Sequence, residues 1–295
     1  MRIRTLLELV RAPAALSVPG DVAAGAVRRP SDRGTTAGLV LSSCCLYWAG
    51  MALNDYTDRL VDAVERPGRP IPSGRVPASS ALALSISLTA LATGIAALSG
   101  GKRTLVSGIP LAGTIWGYNL GLKNTPAGPA TMATARALDV LHGAGPAGPR
   151  DAAPAAAVIG AHTFAVSTVG RDEVTGAPRR VPAIALAVTV AIVSTLLVRT
   201  RLMTGSGGSE PPPLPARGTT LAALTVYAGT VGTAQWRALR EPSPARLRRA
   251  TGDGILGMIP LQAALIAAGG AKHRAVTVLS AYPVARRLFG RVSPT

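Results

Sequence analysis

The sequence predicts an all-α, polytopic membrane protein, a single bundle of about nine transmembrane helices that occupies residues 1–295. Hydrophobic residues make up 48% of the chain and charged residues only 15%, against about 25% charged in soluble domains. Apolar stretches recur along the whole chain, and short basic or Pro- and Gly-rich connections separate them. Because a helix needs about 20 apolar residues to cross a bilayer, this pattern is typical of a protein that has lipid as its solvent.

Nine apolar stretches are the predicted spans. Along the chain they cover residues 12–27, 36–53, 79–98, 104–122, 128–144, 152–169, 181–198, 219–236 and 254–270. A tenth stretch, 275–288, is shorter and ends in basic residues, so it either spans or lies in the membrane interface. The linker 200–218 contains GSGGSEPPPLPARG and is predicted to be a flexible extracytoplasmic loop.

The formal net charge of +17 raises the question of nucleic-acid binding. The basic residues stand singly or in pairs between apolar stretches, without an RNA-binding or helix-turn-helix pattern, which favours loop charge that sets topology and argues against a nucleic-acid partner. Their bias places the loops after the second and sixth spans in the cytoplasm. Only three of the 31 basic residues are Lys, a bias typical of a GC-rich genome. We expect a protein of a bacterial plasma membrane whose site faces the cytoplasm.

Acidic residues are scarce, 14 in total, yet they cluster in two places. The clusters follow the second and the sixth predicted spans and comprise Asp55, Asp58, Asp62 and Glu65 in the first, and Asp172 and Glu173 in the second. Carboxylates this close repel one another at a membrane boundary unless a cation compensates them. Their corresponding positions predict one site between two halves of the bundle.

In the first cluster, NDYTDRLVD, the residues Asn54, Asp58 and Asp62 recur every four positions. If the second helix continues through them, they share one face and present three oxygen ligands together. Hard oxygen donors suit Mg²⁺, which bridges carboxylates to substrate phosphates. The alternative is a solvated helix end in which Asp58 forms ordinary surface pairs with Arg59, Arg66 or Arg69.

The next segment, ERPGRPIPSGRVP, is too rich in Pro and Gly to be helical, and it sets Arg66, Arg69 and Arg75 in a loop near those acids. Arginine forks match diphosphate oxygens, although a structural salt-bridged loop has the same composition.

The fifth predicted span carries Arg136, Asp139 and His142 in an otherwise apolar stretch. Ionisable residues inside a membrane favour a functional interpretation. Because positions 136 and 139 are one helical turn apart, a purely structural Arg-to-Asp pair within the helix is an equally good interpretation. His142 has no His or Cys nearby and is predicted to be a buried, hydrogen-bonded histidine outside the site.

The first acidic cluster and the loop after it resemble a known family motif. They read NDYTDRLVD followed by RPIPSGRV, similar to the NDxxDxxxD motif and adjoining loop of the UbiA superfamily of intramembrane prenyltransferases, the 4-hydroxybenzoate polyprenyltransferase-like proteins. The mid-chain segment YNLGLKNTPAGPATMATARALD is similar to the family's Tyr, Lys and Arg segment, and GRDEVTG is similar to its second acidic motif. The resemblance extends through most of the chain. It implies nine transmembrane helices around a central cavity, closed by cytoplasmic caps that carry the Asp-rich motifs.

The resemblance also implies roles for individual residues. The implied ligands of Mg²⁺ and diphosphate are Asn54, Asp58, Asp62 and Asp172. The three aspartates among them form the implied catalytic set. The residues implied to bind substrate are Arg69, Tyr118, Lys123 and Arg136. The implied reaction transfers a prenyl group from a prenyl diphosphate to a lipophilic acceptor, aromatic or otherwise, with membrane lipid as a further partner.

One position departs from the family pattern DxxxDxxxG. When Asp172 and Gly176 take its later positions, Thr168 stands where the first Asp belongs. Glu173 replaces that carboxylate only if the helix end rotates or unwinds. The departure supports an alternative function, a non-catalytic transporter or lipid-binding protein on the same scaffold. A CDP-alcohol phosphatidyltransferase is disfavoured because its DG…AR…G…D…D spacing is not found.

Overall fold

The computed structural model describes residues 3–27, 33–202 and 214–289, which form α-helices, short turns and loops without a β-strand. In chain order the α-helices are α1 Ile3–Leu9, α2 Val18–Gly25, α3 Arg33–Thr57, α4 Arg59–Glu65, α5 Ala78–Gly100, α6 Lys102–Leu120, α7 Gly128–Gly143, α8 Ala153–Arg171, α9 Arg180–Leu202, α10 Leu214–Tyr227, α11 Thr233–Arg240, α12 Pro244–Ala268 and α13 Lys272–Phe289. Most of the predicted loop 200–218 lies outside the described residues.

Five helices of the described chain are long and apolar enough to cross a membrane: α3, α5, α8, α9 up to Thr200, and α12. Their most apolar windows have mean hydropathies between 1.3 and 2.5. The all-α membrane fold is therefore confirmed, whereas the predicted number of nine spans is not. The tenth apolar stretch forms most of α13, which packs against α12.

Two predicted spans are interrupted helices. The first, 12–27, is a 3₁₀ turn, Ala12–Ser17, followed by the short helix α2. A proline lies in the first turn of each piece, where its missing N–H costs no hydrogen bond, so proline starts these helices and prevents one long helix. The span 219–236 consists of α10 and α11 joined through the π-helical segment Ala228–Gly232.

Two glycines bring α2 and α7 into close contact. A Cβ atom on Gly25 would overlap the carbonyl oxygen of Val140, and one on Gly143 would overlap that of Val22. In membranes, small residues of this kind let helix backbones approach each other and stabilise helix pairs through packing. The contact places Asp21 of α2 beside the ionisable residues of α7.

Candidate functional site

The end of α3 and the start of α4 place three oxygen atoms around one cation. Although α3 ends at Thr57, the Asp58 N–H donates to the Asn54 carbonyl at 2.9 Å, so the chain stays close to a helical path. From the short turn after α6, Lys123 Nζ donates to Asn54 Oδ1 at 3.1 Å, to Thr57 Oγ1 at 3.0 Å and to Asp58 Oδ1 at 2.6 Å. The first acidic motif is therefore compensated by an ammonium group held in a cage of oxygens.

Asp62 faces a different cation. Arg69 Nη1 donates to Asp62 Oδ2 at 2.7 Å and to Asp55 Oδ1 at 3.4 Å, and Arg11 Nη2 donates to the same Asp55 oxygen at 3.3 Å. Both carboxylates are buried, with side-chain exposures of 4% for Asp62 and 5% for Asp55. The predicted shared face is thus divided, because Asp58 points to Lys123 and Asp62 to Arg69. The surface pairs offered as the alternative for Asp58 are replaced by its contact with Lys123.

The loop between α4 and α5 is non-helical, as its sequence predicts. Its arginines act differently, since Arg69 turns inward to the acids while Arg75 turns outward. Arg75 donates to both carboxylate oxygens of Glu8 on α1, at 2.6 and 2.9 Å, and to the Gly68 carbonyl at 2.6 Å. Arg75 therefore anchors the loop, whereas Arg69 lies against the first acidic motif.

The second acidic motif begins where α8 ends, at Arg171. The helix stops because Asp172 has non-helical backbone angles, φ −102° and ψ 8°, and the residues after it form turns, so Glu173 does not continue a face of α8. One Glu173 carboxylate oxygen is buried without a hydrogen bond, and burial raises the pKa of this group. Thr168 donates its hydroxyl hydrogen to the Phe164 carbonyl of its own helix at 2.8 Å.

Both motifs contact the connection between α6 and α7. Lys123 of this connection reaches the first motif, and Arg171, next to Asp172, donates to the Thr125 carbonyl at 2.6 Å. The two acidic clusters therefore lie at the same end of the bundle, which their sequence positions predict.

A cavity of about 230 Å³ extends from Asn54 and Tyr118 into the bundle. Its walls include the apolar side chains of Val18, Leu46, Met51, Leu111, Ile115 and Met132. Ser43, Arg136 and Asp139 line it as well. Because an α-helix rises 1.5 Å per residue, Ser43 lies about 16 Å along α3 from Asn54. The cavity therefore joins the cation site to a polar group deep in the bundle.

In this polar group, Arg136 does not form the internal pair with Asp139 that their one-turn spacing favours. Arg136 Nη2 lies 3.0 Å from Asp21 Oδ2 on α2, while Asp139 accepts a hydrogen bond from the Ser43 hydroxyl. Gln262 Nε2 of α12 donates to Asp21 Oδ1 at 2.7 Å. Sequence reasoning missed Asp21, although an acid inside the first apolar stretch is the same kind of signal as Asp139. His142 is buried between Ser42 and Ser107, as predicted for a histidine outside the site.

The oxygen donors near Lys123 fit a magnesium ion. In the part of the chain that the structure describes, no three His, Cys, Asp or Glu side chains are grouped closely enough to hold a metal. The available set is mixed, an amide, a hydroxyl and a carboxylate oxygen, all hard donors of the class that Mg²⁺ binds. These oxygens already converge on a positive charge, so Asn54, Thr57 and Asp58 would hold the ion once the Lys123 ammonium moves aside.

The chain matches a known protein family over most of its length. The model of the UbiA prenyltransferase family matches residues 14–273. The chain belongs to this family. A digeranylgeranylglyceryl phosphate synthase of Halobacterium salinarum is 33% identical over 218 residues, which cover 71% of this chain and 78% of the relative. The synthase of Methanopyrus kandleri is 37% identical over 129 residues, 42% of this chain and 46% of the relative.

Solved UbiA homologues have the same fold. The apo structure from Aeropyrum pernix K1 gives a TM-score of 0.64 at 17% identity, covering 86% of this chain and 96% of that one. A homologue from Archaeoglobus fulgidus bound to DMAPP and Mg²⁺ gives 0.56 at 15% identity, covering 94% and 99%. The protein is an integral membrane prenyltransferase, as the sequence predicts. The roles of its individual site residues remain predictions.

Proposed function

We propose that this UbiA-family member transfers a prenyl group from a prenyl diphosphate to a lipophilic acceptor at the cytoplasmic face, and that it depends on Mg²⁺. The observation that carries the proposal is the convergence of Asn54, Thr57 and Asp58 on the Lys123 ammonium at the mouth of the cavity. Such a cage offers oxygens to a metal and a positive charge to a phosphate from the same spot.

Binding of the donor would exchange the partners in this cage. Asn54 and Asp58 would hold the ion, with Asp62 and Asp172 as further ligands from the same end of the bundle. The Lys123 ammonium and the Arg69 guanidinium would then turn from carboxylates to diphosphate oxygens. Both are well placed, because they lie 2.6 Å from Asp58 and 2.7 Å from Asp62. Tyr118 and Arg136 line the adjoining cavity and would contact the rest of the substrates.

In the transfer step, the bond between the allylic carbon and the diphosphate oxygen breaks, and its electron pair leaves with pyrophosphate. Magnesium, when bound, supplies charge stabilisation for the departing pyrophosphate. Lys123 and Arg69 add fixed positive charge at the same oxygens. The acceptor's nucleophilic atom then bonds to the allylic carbon and passes its proton to the released pyrophosphate, while the apolar walls keep water from taking the acceptor's place.

Lipid analysis tests this function in the cell. Membranes that contain the wild-type protein should hold a lipid heavier than its precursor by whole isoprene units, and membranes with Asp58→Ala should lack it. Glu241→Gln removes an exposed carboxylate outside the site and should leave this product unchanged. The glyceryl phosphate lipids implied by the relatives' names are the first acceptors to supply.

A transporter or lipid-binding function on the same scaffold remains the second candidate, favoured by Thr168 in place of an acidic residue. Pyrophosphate release from geranyl diphosphate separates the two. Transfer predicts release that needs both Mg²⁺ and an acceptor. A protein that retains a lipid but releases no pyrophosphate with any acceptor would support the second candidate instead.

We also propose the bacterial plasma membrane as the location of this protein, which fractionation of the source cells would test.

A further inference from the structure

A second cavity, of about 280 Å³, lies at the end of the bundle opposite the two acidic motifs. It is bounded by the ends of α2, α9 and α12 and by the beginnings of α8 and α10. Since Asp172 follows the last residue of α8, the first turn of α8 must lie at the other end. None of the residues that line this cavity belongs to the site described above.

The walls of this cavity are mostly small and apolar, with Val27, Pro154, Ala155, Val158, Leu196 and Leu265 among them. Two arginines, Arg199 and Arg217, also line it. In the described part of the chain, neither forms a salt bridge. The Nε atom of Arg217 is buried and has no hydrogen-bond partner. Arg199 is exposed and Arg217 is partly buried, so the buried Nε–H of Arg217 is the donor that most needs an acceptor from a ligand.

The other polar side chains that line the cavity leave the two arginines as its donors. Thr200 and Thr220 donate their hydroxyl hydrogens to the carbonyls of Leu196 and Ala216 in their own helices, so the hydrogen-bond donors for a ligand are the guanidinium groups. Asp151 also lines the cavity and carries one negative charge against the two positive ones. Two guanidinium groups beside one carboxylate favour an anionic ligand, such as a phosphodiester.

We propose that this cavity binds the headgroup of an anionic membrane phospholipid, with its phosphodiester on Arg199 and Arg217. Arginine forks match phosphate oxygens, and the apolar walls fit the acyl chains of a lipid better than they fit a free, fully hydrated phosphate. The cavity opens where helices of the bundle end, which is the depth at which a phospholipid carries its headgroup. This site is separate from the prenyl-transfer site and stands or falls independently of it.

Native mass spectrometry of the full-length protein released from phosphatidylglycerol-containing nanodiscs tests the proposal. Wild-type protein should retain one phosphatidylglycerol molecule, and Arg199→Gln combined with Arg217→Gln should lower the retained fraction about tenfold. Arg103→Gln is the matched control, because Arg103 is an exposed arginine at the same end of the bundle and outside the cavity. Unchanged thermal unfolding of the double variant would show that its fold is intact.

Equal retention by wild type and double variant would overturn the proposal. An equal loss in Arg103→Gln would also overturn it, since the arginines would then act only as general interfacial charge. A third measurement adds excess inorganic phosphate as a competitor. Phosphatidylglycerol that stays bound in excess phosphate supports a lipid site, whereas displacement by phosphate alone would identify a small-anion site and refute the commitment to lipid.

Discussion

The two acidic motifs follow α3 and α8 at the same end of the bundle, yet they are built differently. In the first, Asp58 and Asp62 each have a cationic partner within 2.7 Å. In the second, Thr168 is bonded to its own helix, and a buried Glu173 oxygen has no hydrogen bond. Organised oxygens, more than the number of carboxylates, determine where a cation is held, so we expect most of the metal binding at the first motif.

The largest effect should come from the first motif. Asp58→Ala removes the carboxylate nearest the cation position and should lower the rate of prenyl transfer about a thousandfold. Asp172→Ala in the second motif should lower it only about tenfold. Single-turnover assays with geranyl diphosphate compare the two variants, and losses of equal size would break the asymmetry between the motifs.

Arg69 should be the largest stability determinant of this region. Arg69→Gln leaves the buried carboxylates of Asp55 and Asp62 with much less compensating charge and should destabilise the fold by about 3 kcal/mol. Thermal unfolding in detergent measures the change. Arg75→Gln breaks the exposed pair with Glu8 and serves as the control, which should unfold like the wild type. If both variants unfold at the wild-type temperature, the buried network does not contribute as proposed.

Replacing Lys123 should change the affinities for Mg²⁺ and for the prenyl diphosphate donor in opposite directions. Lys123→Met frees Asn54, Thr57 and Asp58 of their ammonium, so Mg²⁺ should bind about tenfold more tightly when no donor is present. The same change removes a phosphate partner and should weaken binding of geranyl diphosphate about tenfold. Calorimetric titrations with each ligand check both signs, and weaker binding of Mg²⁺ would mean that Lys123 does not occupy the metal position.

The smallest effect should come from restoring the second motif. Thr168→Asp places a carboxylate one turn before Asp172 and should strengthen Mg²⁺ binding in the presence of donor by about threefold. Thr168→Asn introduces a side chain of the same shape as Asp but without its charge, so the affinity for Mg²⁺ should remain at the wild-type value. A gain as large as the loss in Asp58→Ala would show that the two motifs contribute equally.

The sequence predicts the membrane bundle and the placement of both acidic clusters at one end of it, because both depend on local patterns. Apolar runs of bilayer length identify helices such as α5 and α12, whereas the four-residue spacing of Asn54, Asp58 and Asp62 predicts one continuous helix that the structure interrupts at Asp58. The breaks are less visible. Neither the interruption at Asp58 nor the π-helical segment between α10 and α11 contains a proline that would mark the break in the sequence.

The partners of the charged groups could not be predicted, because they come from distant parts of the chain. Asp58 and Lys123 are 65 residues apart, and Arg11 and Asp55 are 44 apart. For Arg136, the sequence offers Asp139 one turn away, whereas close packing at Gly25 and Gly143 brings Asp21 to it. Tertiary contact overrides helical spacing here, and one sequence contains no signal for it.

Equilibrium binding of geranyl diphosphate to the purified full-length protein, with and without Mg²⁺, tests whether the first acidic motif holds the metal and the diphosphate. In the presence of Mg²⁺, one donor molecule should bind saturably per protein. This binding should be lost on chelation and in Asp58→Ala, but not in Glu241→Gln. Binding that is equally tight without metal and unchanged by Asp58→Ala would contradict the assignment of the first acidic motif as the magnesium and diphosphate site.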